Sequence, residues 1–298
     1  QDLTDNRTPE VLIAEAVGAA KGADYVIFVG GLNKSDHQDS EGADRLQLDL
    51  PYHQEDVIRA IAPVAKNLVV VNISGSPVSM PWADVAGAIV QGWYGGTESG
   101  NALADVLTGK VNPSGKMPFT VPFKYDDGPI KTVRQYPGIK EENDEYWQTH
   151  YDEGIYVGYR WYEAKGIPVQ WAFGHGLSYT TFEFGQAKAG KASMTADGKM
   201  TVTVDVKNTG DREGAEVVQL YVADPVASID RPVKELKGFE KVTLKPGETK
   251  TVTFTLDADD LSFYSIAKNG WVAEAGEFQA LIGPSSDDIR TTATFELK

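Results

Sequence analysis

The apolar residues of this chain change their period near residue 180, and no other feature restricts the fold as much. Before that point, short unbroken apolar runs alternate with helical patterns. Tyr25-Val26-Ile27-Phe28-Val29 ends in Gly30-Gly31, and Leu68-Val69-Val70-Val71-Asn72-Ile73 ends in Ser74-Gly75-Ser76-Pro77. Ala88-Ile89-Val90 leads into Trp93-Tyr94-Gly95-Gly96. Such runs are the pattern of parallel strands covered on both faces. Helices are expected between them. The first starts at Thr8-Pro9-Glu10, with Thr as N-cap and Pro at the first helical position, and stops at Gly22. The second covers 54–64, with Val57, Ile61 and Val64 at helical spacing, and the third 102–107. Strand and helix alternating over short links predict an α/β layer, a three-layer αβα sandwich with a mostly parallel sheet. Three strands make a thin sheet, so the sandwich is expected to be partial.

Past residue 180 the period is two. Met200, Val202, Val204 and Val206 alternate with Thr201, Thr203, Asp205 and Lys207, and strands are expected around 218–222, 252–256 and 278–282. Asn208-Thr209-Gly210 and Lys245-Pro246-Gly247 supply turns. This spacing predicts an all-β antiparallel sandwich. The domains are therefore read as 1–179, including an aromatic and charged junction segment 124–179, and 180–298.

Composition removes several function classes. With 28 basic against 43 acidic residues, a net of −15, the chain lacks the cationic surface that nucleic acid requires. No cysteine is present, so thiolate metal sites and cysteine nucleophiles are excluded. The histidines His37, His53, His150 and His175 lack metal-ligand spacing, and no metal or cofactor is expected. No apolar run reaches the roughly 18 residues of a membrane span. Gln1, without initiator Met or signal peptide, is expected to be a processed or cut end. A secreted or periplasmic bacterial setting is expected.

Glu41 is the candidate for chemistry. It follows Gly30-Gly31 at the carboxyl end of a strand, where open α/β sheets bind ligands. Gly42 lets the backbone bend beside it, and Asp44 and Arg45 offer charge partners. A solvated acidic loop is the competing reading, because Asp36, Asp39, Asp44 and Asp49 crowd the same stretch. Gly95-Gly96 and Gly100 read as a tight strand-to-helix turn without the Lys of a phosphate loop. Ser74-Gly75-Ser76 is no nucleophile elbow.

Five pieces in fixed order carry a resemblance. They are Glu41-Gly42-Ala43-Asp44-Arg45 with Leu48-Asp49-Leu50-Pro51; Gly95-Gly96-Thr97-Glu98-Ser99-Gly100-Asn101-Ala102 with Ala104-Asp105-Val106-Leu107; and Asn112-Pro113-Ser114-Gly115-Lys116. Glu153-Gly154-Ile155-Tyr156-Val157-Gly158-Tyr159-Arg160 and Phe173-Gly174-His175-Gly176-Leu177-Ser178-Tyr179 complete them. The chain resembles, over almost its whole length, the C-terminal half of the exo-acting β-glucosidases of glycoside hydrolase family 3. The resemblance implies a partial αβα sandwich followed by a fibronectin type III-like domain. It also implies that the catalytic barrel, with its Asp nucleophile, is not in this chain.

The implied activity is retaining hydrolysis of terminal non-reducing β-D-glucosyl residues, with Glu41 as acid/base. The substrates would be β-linked glucosides or short oligosaccharides. The implied partner is a (β/α)-barrel chain or fragment of the same enzyme, without which this chain should be inactive. Asp39, Asp44 and Asp49 are not candidates for the nucleophile. His37 is a candidate for the leaving-group subsite, and Trp93, with Tyr94, for stacking on a sugar, although packing competes for both aromatics. β-Xylosidase or another exo-β-glycosidase of the family is a near alternative. A non-catalytic carbohydrate-binding or scaffolding fragment is the alternative from another class, opposed by the lack of a row of Trp beyond Trp271.

Overall fold

The computed structural model describes residues 5–142 and 145–298; Gln1, the expected cut end, lies outside them. The chain divides into two compact units, Gln1–Ala104 with Phe123–Tyr125 and Asp105–Pro122 with Asp126–Lys298.

The first unit is α/β. Helix α1 (Pro9–Ala20) begins as expected at Pro9, with Thr8 in the N-cap position, but the Thr8 side chain makes no capping hydrogen bond. The Thr8 carbonyl instead accepts from the N–H groups of Val11 and Leu12. Strand β1 (Val26–Gly31) pairs in parallel with β2 (Leu68–Ile73), which pairs in parallel with β3 (Ala88–Gln91). Helix α2 (Gln54–Ile61) packs on α1 and β1. It stops at Ile61 rather than at 64, because Pro63 has no N–H to continue the ladder. Helix α3 (Ser99–Leu107) starts a turn earlier than expected.

The sheet order β1-β2-β3 makes β1 an edge strand. It is not covered on both faces: Ile27 is 49% and Val29 58% exposed, while Val26 and Phe28 are half-buried. An unbroken apolar run does not by itself distinguish an edge from a centre, which explains the difference. The exit of β1 is tightly built. Gly31 has φ 139°, and a Cβ there would stand 2.0 Å from the Ile73 carbonyl oxygen. Gln54, opening α2, brackets the same residue: its Nε2 donates to Gly31 O at 2.8 Å and its Oε1 accepts from Gly31 N at 2.7 Å.

The second unit opens with short β4 (Val121–Pro122) and β5 (Val169–Trp171), an antiparallel pair, and holds helix α4 (Tyr159–Lys165). Then come β6 (Phe182–Phe184), β7 (Lys188–Ala189), β8 (Ser193–Met194), β9 (Met200–Asn208), β10 (Gly214–Ala223), β11 (Glu235–Leu244) and β12 (Thr249–Leu256). The short helix α5 (Ala258–Leu261), the hairpin β13 (Phe263–Ser265) and β14 (Gly270–Val272), and β15 (Gly276–Gly283) and β16 (Thr291–Leu297) complete it. One sheet runs β11-β10-β15-β16-β8 and the other β12-β9-β6. The inward residues expected from the period of two form the core: Val202, Val204, Val206, Val218, Leu220, Phe278 and Ile282 are all buried, and Phe295 of β16 joins them.

The remaining motifs fasten this unit. Asn112 Oδ1 accepts from Ser178 Oγ at 2.9 Å and Tyr179 N at 2.8 Å, while its Nδ2 donates to Glu213 O at 3.0 Å. Lys116 pairs with Glu216 at 2.7 Å and donates to Gly176 O at 2.9 Å. His175 stacks on Trp171 with centroids 5.1 Å apart, and burial pushes its pKa down. Arg160 on α4 reaches Glu235 of β11 at 3.0 Å, and Tyr159 Oη accepts from Leu236 N at 2.8 Å.

Candidate active site

Three loops leave the carboxyl ends of β1, β2 and β3, and they meet through side chains. The first carries Glu41. It starts with a chain of backbone and amide bonds: Leu32 N donates to Ile73 O at 2.8 Å, and Asp39 N to Asn33 O at 3.0 Å. Buried Gln38 accepts from Asn33 N at 3.1 Å and donates to Tyr52 Oη at 2.7 Å. Ser40 Oγ donates to Ala43 O at 3.3 Å, closing the tight turn that Gly42 makes possible at φ 86°.

Asp39 ties this loop to the other two. Its carboxylate accepts from Gly75 N at 2.7 Å, from Ser76 Oγ, and from Tyr94 Oη at 2.8 Å. Burial would raise its pKa, but the bonds from Ser76, Gly75 and Tyr94 hold it below the usual value. Burial, together with the same contact to Asp39, pushes Tyr94 up to about 12. Past Glu41, Arg45 Nη1 donates to Ser76 Oγ at 3.0 Å and to the Pro77 carbonyl. Burial lowers the Arg45 pKa, against the opposing charges of Asp39 and Asp49. Further on, Ser79 N donates to Leu48 O at 2.9 Å and Ser79 Oγ to Asp49 Oδ1 at 2.6 Å. The 45–49 segment is thus sewn along 76–79.

Beneath lies a buried polar bracket. Asn72 Nδ2 donates to Ser74 Oγ at 2.9 Å and to Gln91 Oε1 at 2.7 Å, and Gln91 Nε2 donates to Ser74 O at 3.0 Å. Ser74-Gly75-Ser76 therefore serves as the anvil for the Glu41 loop. The sequence shows a serine-rich turn here but not which loop it grips, because the partners lie 31–37 residues apart.

Glu41 itself is exposed, and among the described residues its carboxylate makes no hydrogen bond or ion pair. His37 bends back across the loop with φ 61°, its Nδ1 2.9 Å from Asp44 O. A carbonyl only accepts, so Nδ1 is the donor in this bond. Trp93 is half-buried in a left-handed conformation, φ 51°, next to exposed Tyr94. The engaged carboxylates of Asp39 and Asp49 are structural. The residues that sequence reasoning missed are Gly75, Ser76 and Gln54. Among the described residues no group of three or more His, Cys, Asp or Glu could hold a metal, and no helix is long and apolar enough to cross a membrane.

The comparisons with known proteins converge. The profile of the glycosyl hydrolase family 3 C-terminal domain matches residues 3–159, and that of the fibronectin type III-like domain matches 216–286. The chain is 48% identical to beta-glucosidase BoGH3A of Bacteroides ovatus, over 99% of this chain and 39% of that protein. It is 46% identical to thermostable beta-glucosidase B of Acetivibrio thermocellus, over 96% of this chain and 37% of that protein. The beta-glucosidase of Kluyveromyces marxianus in complex with glucose superposes with a TM-score of 0.89 at 42% identity, covering 99% of this chain and 34% of that one. The Bifidobacterium adolescentis GH3 beta-glucosidase gives 0.90 at 42%, covering 99% and 42%. This chain spans about two fifths or less of the length of these relatives.

Proposed function

The chain belongs to glycosyl hydrolase family 3, and on that premise we propose that it supplies the acid/base loop of an exo-acting retaining β-glucosidase. Glu41 is the acid/base. The observation that carries this reading is the presentation of Glu41: an unencumbered carboxylate on a loop fixed on both sides, at the ligand-binding edge of a parallel sheet. A group that must give and take a proton needs a free oxygen on a rigid mount.

In this mechanism two carboxyl groups flank the glycosidic bond about 5–5.5 Å apart. A nucleophile from a barrel-bearing partner attacks the anomeric carbon while Glu41 protonates the leaving oxygen. Glu41 then takes a proton from the water that releases the sugar. His37 borders the leaving-group side, and Trp93 with Tyr94 offers aromatic faces to the substrate. The exposed apolar residues Ile27 and Val29 are the surface that the rest of the sandwich would cover. The test is hydrolysis of nitrophenyl β-glucoside by this chain alone and after mixing with a barrel-bearing fragment. Activity is expected only in the mixture; turnover by the chain alone would contradict the requirement for a partner. β-Xylosidase specificity is distinguished in the same assay with the xyloside.

A second reading has one observation in its favour. Trp271 is 71% exposed on the β13–β14 hairpin and meets the Tyr264 ring edge-on at 5.8 Å, a pair suited to stacking on sugar. Saturable oligosaccharide binding that Trp271→Ala abolishes would support a carbohydrate-binding role for this unit.

A further inference from the structure

The turn that leads into α2 is strained at two adjacent residues. Tyr52 and His53 both take left-handed backbone conformations, with φ 60° and φ 58°. Such a conformation crowds any side chain and carries no steric penalty only for glycine. The turn itself is needed, because the chain leaves buried Leu50 and must place Gln54 against Gly31. Bulky side chains at its apex are not needed to make it. Backbone strain of this kind persists where the surroundings enforce it, and it gathers at functional positions.

Burial does not account for Tyr52, which is 65% exposed. What its ring delivers is a hydroxyl: Tyr52 Oη accepts from Gln38 Nε2 at 2.7 Å. Gln38 is buried in the loop that carries Glu41, and it ties that loop together. Its Oε1 accepts from Asn33 N at 3.1 Å, and its backbone N–H donates to Ser35 O at 3.2 Å. Asn33 O in turn accepts from Asp39 N at 3.0 Å, two residues before Glu41. A buried amide nitrogen without an acceptor is costly, so the Tyr52 hydroxyl fixes the way Gln38 faces. His53, the other strained residue, is engaged at its own helix start, with Nδ1 2.9 Å from Asp56 Oδ2.

We propose that Tyr52 is a positioning residue for Glu41, its hydroxyl bracing Gln38 and through it the neck of the loop. The proposal rests on the reading of Glu41 as the acid/base. Asp39 and Arg45 fasten the loop to the turn after β2, whereas Tyr52 holds it from the side of α2. A proton donor must keep its place within a fraction of an ångström, and restraint from two elements serves that end.

Tyr52→Phe keeps the ring and removes only the hydroxyl. In amide hydrogen exchange on this chain, protection at Asn33, Gln38 and Asp39 should fall about tenfold, the loss of one hydrogen bond to a buried group. Protection in β2 should not change. Tyr52→Gly, which relieves the strain but also removes the brace, should loosen the loop to the same extent. Gln38→Met removes the other partner, and adding Tyr52→Phe to it should cost the loop nothing further. In the complete enzyme, barrel included, Tyr52→Phe should lower kcat about tenfold on an alkyl glucoside and leave KM unchanged. A dinitrophenyl glucoside, whose leaving oxygen needs no proton, should be spared, whereas a residue that only supports the fold would affect both substrates alike. Unchanged exchange in Tyr52→Phe, or equal losses on the two substrates, would overturn the proposal. Should Glu41→Gln itself not discriminate between the substrates, the acid/base reading falls, and the exchange result decides the brace independently of it.

Discussion

Asp39 and Arg45 stand on either side of Glu41 and meet through one hydroxyl: Ser76 Oγ accepts from Arg45 Nη1 at 3.0 Å and donates to the Asp39 carboxylate. A loop held at both feet by the same serine has little freedom to swing its apex. Asp39→Ala should cost about 1.5–3 kcal/mol locally, a tenfold to hundredfold rise in loop opening. Amide hydrogen exchange over 33–46 checks this, and unchanged protection would mean that the clamp does not hold the loop.

The clamp has a defined pH window. Asp39 is held below its usual carboxylate value, so its contribution is present above about pH 4 and lost as pH falls through the folded-state pKa. Tyr94 is raised from 10.0 to about 12, so its protonated form contributes below about pH 10 and is lost as pH rises through about 12. Protection factors in the loop, with the intrinsic pH dependence of amide exchange divided out, should be flat between these limits and fall at both ends. Asp39→Asn should remove the acid-side fall.

The Glu163–Lys234 pair joins α4 to the segment before β11, and burial pushes the Glu163 carboxyl up. Glu163→Gln should cost about 3 kcal/mol, because it leaves the buried ammonium of Lys234 unpaired. Adding Lys234→Met should recover most of that loss. Denaturant melts of the single and double variants measure the coupling; additive losses would mean the two residues act separately.

Ile27→Lys with Val29→Lys tests the exposed β1 face. Both sites are largely exposed, so the chain alone should change by no more than about 0.5 kcal/mol each. Complementation by a barrel-bearing fragment should be lost. Full complementation would show that this face stays uncovered.

Much of this architecture was legible in the sequence because periodicity records burial. Met200 through Val206 and the β2 run Leu68–Ile73 folded where the pattern put them. β11 escaped because its strand is amphiphilic and irregular: Phe239 points to solvent, and the register shifts opposite Leu220 and Tyr221. β16 carries the alternation Ala293, Phe295, Leu297 and could have been found. At the proposed site, the loop that carries Glu41 was visible through its motif. The grip of Ser76 on Asp39 and Arg45 was not visible, since it depends on contacts between loops far apart in the chain.

The most direct measurement is the leaving-group dependence of Glu41→Gln in the complete enzyme, barrel included. Glu41 is exposed and makes no hydrogen bond or ion pair among the described residues, so stability should stay within about 0.5 kcal/mol. Loss of a general acid should lower kcat/KM about 10²–10⁴-fold for an alkyl or oligosaccharide glucoside. The loss should be much smaller for a dinitrophenyl glucoside, whose leaving oxygen needs no proton. Equal losses on both substrates, or no loss on either, would contradict the assignment of Glu41 as the acid/base.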